Sequence, residues 1–207
     1  VTPLLQILEH RIVAIVRGMP PKDIFNIANS LHNGGVHILE ITLNSEDALS
    51  LIERLSYELR GKMLIGAGTV LNQKDASNAI AAGAAFLVSP SLDIEVIRAA
   101  KNAGIVSIPG AFTPTEILSA YNNGADIVKV FPALSAGYIK NILAPLNHIP
   151  VMPTGGLDAF NIKAFADAGA VAFGIGSALV NNSSFINDTY LQELTVKAEK
   201  LIIALKN

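Results

Sequence analysis

The sequence predicts a single compact (β/α)8 barrel over residues 1–207, an α/β fold with an N-terminal helix capping its lower end. Three observations carry this. One phrase recurs along the chain: a helix-like run, a glycine in a tight turn, then a short apolar strand. Its instances are NGGVHILEI (33–41), AAGAAFLVSP (81–90), NAGIVSIPG (102–110), NNGADIVKVFP (122–132) and DAGAVAFGIG (167–176). The strands in these phrases are nearly continuous in apolar residues, the pattern of parallel strands covered on both faces. A length of 207 residues lies close to the lower limit of roughly 200 for eight strand–helix units.

The elements follow in order. Thr2–Glu9 reads as the capping helix. The first strand is expected near 12–16, in RIVAIVRG (11–18), the second near 36–41, and the third near 63–67, in MLIGAGTV (63–70). Asn72 to Gly83 alternates polar and alanine positions at helical spacing and leads to a fourth strand near 85–89. Ser91, a cap-type residue, opens a helix to Asn102 with Ile94, Ile97 and Ala100 about one turn apart. A fifth strand follows near 104–108. Thr113-Pro114-Thr115-Glu116 then combines a cap, a proline at the first helical position and an acid three residues after the threonine. The sixth, seventh and eighth strands are expected near 125–130, 149–153 and 171–174, with Asp158 capping the helix after the seventh. Residues 188–206 form a last helix with Leu191, Leu194, Ala198 and Leu201 on one face. An open doubly wound sheet is the flat alternative. It requires edge strands, and no strand carries the polar or proline marks of an edge.

Composition excludes several classes. The formal net charge of −2 offers no basic face for nucleic acid. With no cysteine there is no disulfide, thiolate nucleophile or thiolate metal ligand, which is compatible with a reducing cytoplasm. No apolar run reaches the length of about 18 residues that spans a membrane, and no basic-then-apolar leader is visible. The four histidines (His10, His32, His37 and His148) show no metal-ligand spacing, and no metal site is expected. His37 reads as structural, early in the second strand and on the face opposite to Glu40.

In a barrel, chemistry sits at the C-terminal ends of the strands. An ionisable residue inside an apolar strand is therefore the signal to look for. Lys129 lies in ADIVKVFP and shares its face with Ile127 and Phe131. Both faces of this strand are apolar, so three readings stay open: a catalytic amine, an outward lysine that snorkels to water, and a structural ion pair. Desolvation lowers a lysine from its usual pKa of about 10.4, which a nucleophilic amine requires. Glu40, in VHILEIT, is either a proton shuttle reaching the same cavity or the partner of a nearby cation. Arg17 ends the first strand. There it holds a carboxylate or phosphate in two-pronged fashion, or makes a rim salt bridge.

Glycines mark the other half of the site. Thr154-Gly155-Gly156 follows the seventh strand, and Gly174-Ile175-Gly176-Ser177 ends the eighth and reads as the opening of a short helix. Backbone N–H groups approach a phosphate closely at such glycines, and the loops after the last two strands are where phosphate-binding barrels hold it. Thr69, after the Gly66-Ala67-Gly68 run, donates to a substrate carboxylate or serves as a cap. Ser89-Pro90 and Pro109-Gly110 shape the wall.

The phrases LEITL (39–43), IGAGTV (65–70), VKVFPA (128–133), PTGG (153–156) and GIGSAL (174–179) occur in this order over nearly the whole chain. In them the chain resembles the 2-keto-3-deoxy-6-phosphogluconate aldolases, also described as 4-hydroxy-2-oxoglutarate aldolases. The resemblance implies a metal-free class I lyase, usually a homotrimer, that works through a covalent imine without an external cofactor. It implies that Lys129 forms the Schiff base and Glu40 is the general acid/base. Thr69 and Thr154 would seat the pyruvyl carboxylate, Gly155, Gly156 and Ser177 the phosphate, with Gly176 beside them from the loop reading above, and Arg17 would lie near the site. One position departs from the pattern. Gluconate-type enzymes commonly carry a substrate-binding arginine just after the LE(V/I)TL run, and here that residue is Asn44, closer to galactonate-type enzymes. Asn44, Pro90 and Phe131 are the candidates for setting specificity.

The expected activity is cleavage of 2-dehydro-3-deoxy-6-phosphogluconate to pyruvate and glyceraldehyde 3-phosphate, and of 4-hydroxy-2-oxoglutarate to pyruvate and glyoxylate. The alternative is the galactonate epimer. More distant rivals are a phosphate-barrel isomerase or epimerase and a non-catalytic sugar-phosphate binder. The expected partner is a small phosphorylated 2-keto acid, with neither nucleic acid nor membrane involved.

Overall fold

The computed structural model describes residues 1–206. Short parallel strands alternate with helices along the chain. Helix α1 (Pro3–His10) precedes β1 (Ile12–Val16); α2 (Ile24–Asn33) leads to β2 (Ile38–Thr42), and α3 (Ala48–Glu58) to β3 (Leu64–Gly68). Then come α4 (Gln73–Ala81), β4 (Phe86–Val88), α5 (Ile94–Asn102), β5 (Val106–Ile108) and β6 (Gly110–Ala111). The chain continues through α6 (Pro114–Asn122), β7 (Val128–Val130), α7 (Ala136–Leu143) and β8 (Val151–Pro153). It ends with α8 (Ile162–Asp167), β9 (Phe173–Ile175) and α9 (Asp188–Lys206).

The fifth expected strand is two short segments. Pro109 has no N–H to donate, so the ladder breaks there: β5 pairs with β4, while β6 pairs with β7. The strands fall into a six-stranded parallel sheet in the order β5-β4-β3-β2-β1-β9 and a three-stranded one in the order β6-β7-β8. Backbone bonds link the two sheets: Val171 N donates to Val151 O at 3.0 Å, and Thr154 bridges Gly174. Every strand residue is buried, as the apolar runs require. This is a mostly parallel α/β fold with helices on its outer face.

Alternation along the strands sorts the core into two sets. Residues such as Ala14, Leu39 and Val128 face the helices, whereas Val13, Ile38, Phe86, Ile127 and Met152 pack with one another inside. Ile7 of α1 is fully buried against this inner set, so the apolar face of the helix covers one end of it. Arg11 fixes the junction of α1 with β1. It adopts a left-handed φ of 63° and its guanidinium donates to Val171 O at 3.1 Å and Ala170 O at 2.8 Å.

The capping predictions hold in part. Thr113 and Glu116 form a reciprocal capping box with Pro114 in the first turn. Asn72 caps α4 through Asp75 N. Asp93 rather than Ser91 caps α5, accepting from Glu95 N and Val96 N: the helix starts at Ile94, so the cap position falls on Asp93, two residues beyond Ser91. Asp158 does not cap a helix directly. It accepts from Phe160 N and Asn161 N in a turn, and α8 begins only at Ile162. Gly176 and Ser177 open a hydrogen-bonded turn, with Leu179 N and Val180 N returning to Gly176 O, and not a helix. On α9 the buried stripe is Tyr190, Leu194, Ala198 and Leu201, with Leu191 at its margin. No helix among the described residues is long and apolar enough to cross a membrane.

Candidate active site

Parity, undecided in the sequence, is resolved by packing. Lys129 follows the inward-facing Ile127 by two residues, and its side chain turns inward at the C-terminal end of β7, where it is 3% exposed. Glu40 follows the inward-facing Ile38 in the same way and is fully buried. It sits in register between Ile15 of β1 and Gly66 of β3.

The two groups feel each other without forming an ion pair. Neither carboxyl oxygen of Glu40 has a hydrogen-bond partner, and Lys129 belongs to no salt bridge of the described residues. Burial pushes the Glu40 carboxyl above its usual range, and the charges of Lys129 and Arg17 oppose that push. Burial likewise holds the Lys129 amine below the usual lysine range; Glu40 pulls it back up and Arg17 adds to the lowering. The Phe131 ring lies 5.1 Å from Lys129 Nζ, within cation–π range.

A cavity of about 260 Å³ opens over the amine. Arg17, Lys129, Phe131, Thr154, Gly155, Gly156, Gly176 and Ser177 all line it. Eight of the sequence-selected positions, drawn from the ends of β1, β7, β8 and β9, thus converge. Gly155 and Gly156 both have positive φ (98° and 72°), a turn that side chains resist, and Asn161 Nδ2 holds it by donating to Gly156 O at 2.8 Å. The amides of such a turn are suited to an oxyanion.

Four selected residues lie outside the cavity wall. Glu40 is fully buried and does not reach the wall. Asn44 is exposed on the loop after β2, and Pro90 is half-buried with its carbonyl against Gly110, where no Cβ would fit. Thr69 is half-buried in a left-handed conformation (φ 56°), rare for a β-branched residue. It does not cap α4, since Asn72 does. Strain of this kind costs on the order of 1–3 kcal/mol and collects at functional sites.

Other participants were not legible in the sequence. Ser45, beside the singled-out Asn44, accepts from Gly18 N at 2.9 Å and lies 2.9 Å from Thr42 Oγ1, so it ties the Arg17–Gly18 turn to the end of β2. Asn182, after β9, lines the cavity and touches the Gly18 position. Gly174 leaves room for the Thr154 side chain, and Gly68 for the Glu40 carboxyl group. A glycine inside a strand is the general signal for such close approach, but it does not say what approaches.

An amine whose pKa burial lowers gives up its proton more readily and can then add to a carbonyl carbon, and a neighbouring carboxyl group can move the protons that follow. The fold and this chemistry together are those of a class I aldolase, an enzyme that works through a lysine imine. Residues 5–196 match the family model described as "Aldolase: KDPG and KHG aldolase". The chain belongs to that family, whose chemistry is retro-aldol cleavage. It is 37% identical over 175 residues (83% of this chain and 82% of the other) to a "Probable 2-dehydro-3-deoxy-6-phosphogalactonate aldolase" of Rhizobium meliloti (strain 1021). It is also 37% identical over 157 residues (74% and 71%) to the "2-dehydro-3-deoxy-phosphogluconate aldolase" of Pseudomonas aeruginosa. Among solved structures it is similar to the KDPG aldolase of Legionella pneumophila with pyruvate captured at low pH as a covalent carbinolamine intermediate. That match has 26% identity, a TM-score of 0.86, and coverage of 97% of this chain and 98% of the other.

Proposed function

We propose that the chain cleaves 2-dehydro-3-deoxy-6-phosphogluconate to pyruvate and glyceraldehyde 3-phosphate, with Lys129 as the Schiff-base amine and Glu40 as the proton carrier. The observation that carries the assignment is the pairing of a desolvated lysine with a fully buried, unpartnered carboxyl group beside a glycine-lined cavity.

In this mechanism Lys129 Nζ adds to the C2 ketone, and loss of water leaves an iminium. Glu40, set back from the cavity wall, takes the C4 hydroxyl proton through a water, which gives its carboxyl oxygens the partner they otherwise lack. The C3–C4 bond breaks, its electrons pass to the iminium as an enamine, and the aldehyde departs. Protonation at C3 and hydrolysis release pyruvate and restore the amine. Thr154, with Thr69 and Arg17, holds the carboxylate; the turns at Gly155–Gly156 and Gly176–Ser177 hold the phosphate. Cleavage of 4-hydroxy-2-oxoglutarate to pyruvate and glyoxylate uses the same steps without the phosphate contacts.

Asn44 and the longer match to a galactonate-type relative favour a second reading, the galactonate epimer. Assays coupled to pyruvate formation, run side by side with both epimers, decide between them. Borohydride reduction in the presence of pyruvate should add irreversible mass at Lys129. An unmodified Lys129 in an active preparation overturns the residue assignment.

The same reading makes the scaffold a closed (β/α)8 barrel in a cytoplasmic homotrimer. Closure draws support from backbone bonds between the two sheets, including Ile127 N to Ser107 O at 3.4 Å. Assembly draws support from Phe160 and Phe185, which are 98% and 84% exposed on the loops after β8 and β9.

A further inference from the structure

A second and larger cavity, of about 680 Å³, opens at the other end of the strands, where β2 and β3 begin. Three histidines from α1, α2 and the segment before β2 meet on its wall. The His37 ring, just before β2, lies 4.4 Å from that of His10 at the end of α1 and 5.0 Å, edge-on, from that of His32 in α2. Arg60 and Lys62, exposed on the turn after α3, line the same cavity. Neither belongs to an ion pair among the described residues. Glu9 is the one carboxylate on the wall.

No group of three His, Cys, Asp or Glu side chains among the described residues is arranged to hold a metal ion, so the imidazoles are not a chelate. Their closeness has another consequence. Burial pushes His37 below the usual histidine range and His10 adds repulsion, while a hydrogen bond with the Lys62 backbone works the other way. Protonating several of these rings together requires negative charge nearby. Two permanent cations against one carboxylate already favour an anion, and each proton taken up by a ring strengthens that preference.

We propose that this lower cavity is a second binding site, distinct from the Lys129 cavity, for a small multivalent oxyanion of the phosphate or sulfate type. Arg60 and Lys62 attract it, and the His10, His32 and His37 rings line the same wall as further polar partners. The volume, against about 30 Å³ for one water molecule, leaves room for an organic group behind the anionic head.

Sulfate is the suitable probe, because it stays doubly charged through the histidine range of about pH 5–8, so any pH dependence belongs to the protein. Imidazole NMR signals of the full chain are followed during titration. The expected result is that sulfate moves the imidazole signals of His10, His32 and His37 and leaves that of His148 in place, with tighter binding as pH falls through the histidine range. Arg60→Gln combined with Lys62→Gln should remove the response and leave retro-aldol kcat/KM unchanged. Glycerol 3-phosphate forms a parallel arm: tighter binding than sulfate assigns the site to an organic phosphate, equal binding to the free ion, and both support a site. Sulfate that moves none of the three histidines, or moves them equally in the double variant, overturns it.

Discussion

Gly68 and Glu40 are matched in shape across adjacent strands. A Cβ on Gly68 would fall inside the van der Waals envelope of the Glu40 carboxyl group. Gly68 has no left-handed φ. Its value is the absence of a side chain, which lets a carboxylate lie against the β3 backbone without a clash.

Gly68→Ala should therefore displace Glu40 while leaving Lys129 in place. Expected is a fall in kcat of at least about 100-fold, the lower range for losing a general acid/base. Overpacking adds a stability loss of about 1–3 kcal/mol. Trapping of pyruvate by borohydride at Lys129 should persist. If kcat stays near that of the parent, Glu40 does not need this seat.

Replacing both buried charges should stabilise the protein as it ends its activity. Lys129 has a folded pKa below its unfolded value, so its contribution to stability is present above the unfolded pKa of about 10.4 and lost as pH falls through the folded value. Glu40 is the reverse: raised in the fold, it favours stability below its unfolded pKa of about 4.3 and loses it as pH rises. At neutral pH both are unfavourable. Lys129→Met with Glu40→Gln should gain about 1–4 kcal/mol in denaturant unfolding over the parent. Lys129→Met alone should gain less, because Glu40 then loses the stronger of the two cations acting on it and keeps only Arg17.

The pH dependence of imine formation separates the two electrostatic effects on the amine. Trapping of pyruvate should rise through a midpoint below the usual lysine range. In Glu40→Gln that midpoint should move further down, because the carboxylate raises the Lys129 pKa. An upward movement would falsify the proposed coupling.

Ser45→Ala removes the acceptor for Gly18 N and the neighbour of Thr42 Oγ1. One such hydrogen bond is worth about 1 kcal/mol. KM for the phosphorylated substrate should rise about fivefold as the Arg17 turn loosens, with kcat changed less. Equal loss of kcat and kcat/KM would place Ser45 in the chemistry instead.

The order of elements was readable because each signal is local. The glycine turns before five of the strands, the continuous apolar runs and the Thr113–Glu116 capping box involve residues a few positions apart. Boundaries shifted where two local signals competed, as with Ser91 and Asp93, or where a turn intervened, as after Asp158. Of the candidate site, Lys129, Arg17 and both glycine turns converge on one cavity. Asn44 attracted attention by its type, but the hydrogen bonds belong to its neighbour Ser45. The histidines looked scattered, since nothing in a spacing of residues 10, 32 and 37 foretells a shared wall.

By itself the chain dictated its alternation of strands and helices, the burial of its strands and the chemistry of its conspicuous residues, since propensity, capping and apolar runs act over short stretches. Only the assembled sheets decided which face of β7 carries Lys129 inward, that Glu40 lies close enough to feel it, and that Gly68 makes room for it. Such facts depend on the register between strands far apart in sequence, and on the desolvation that only a finished core supplies.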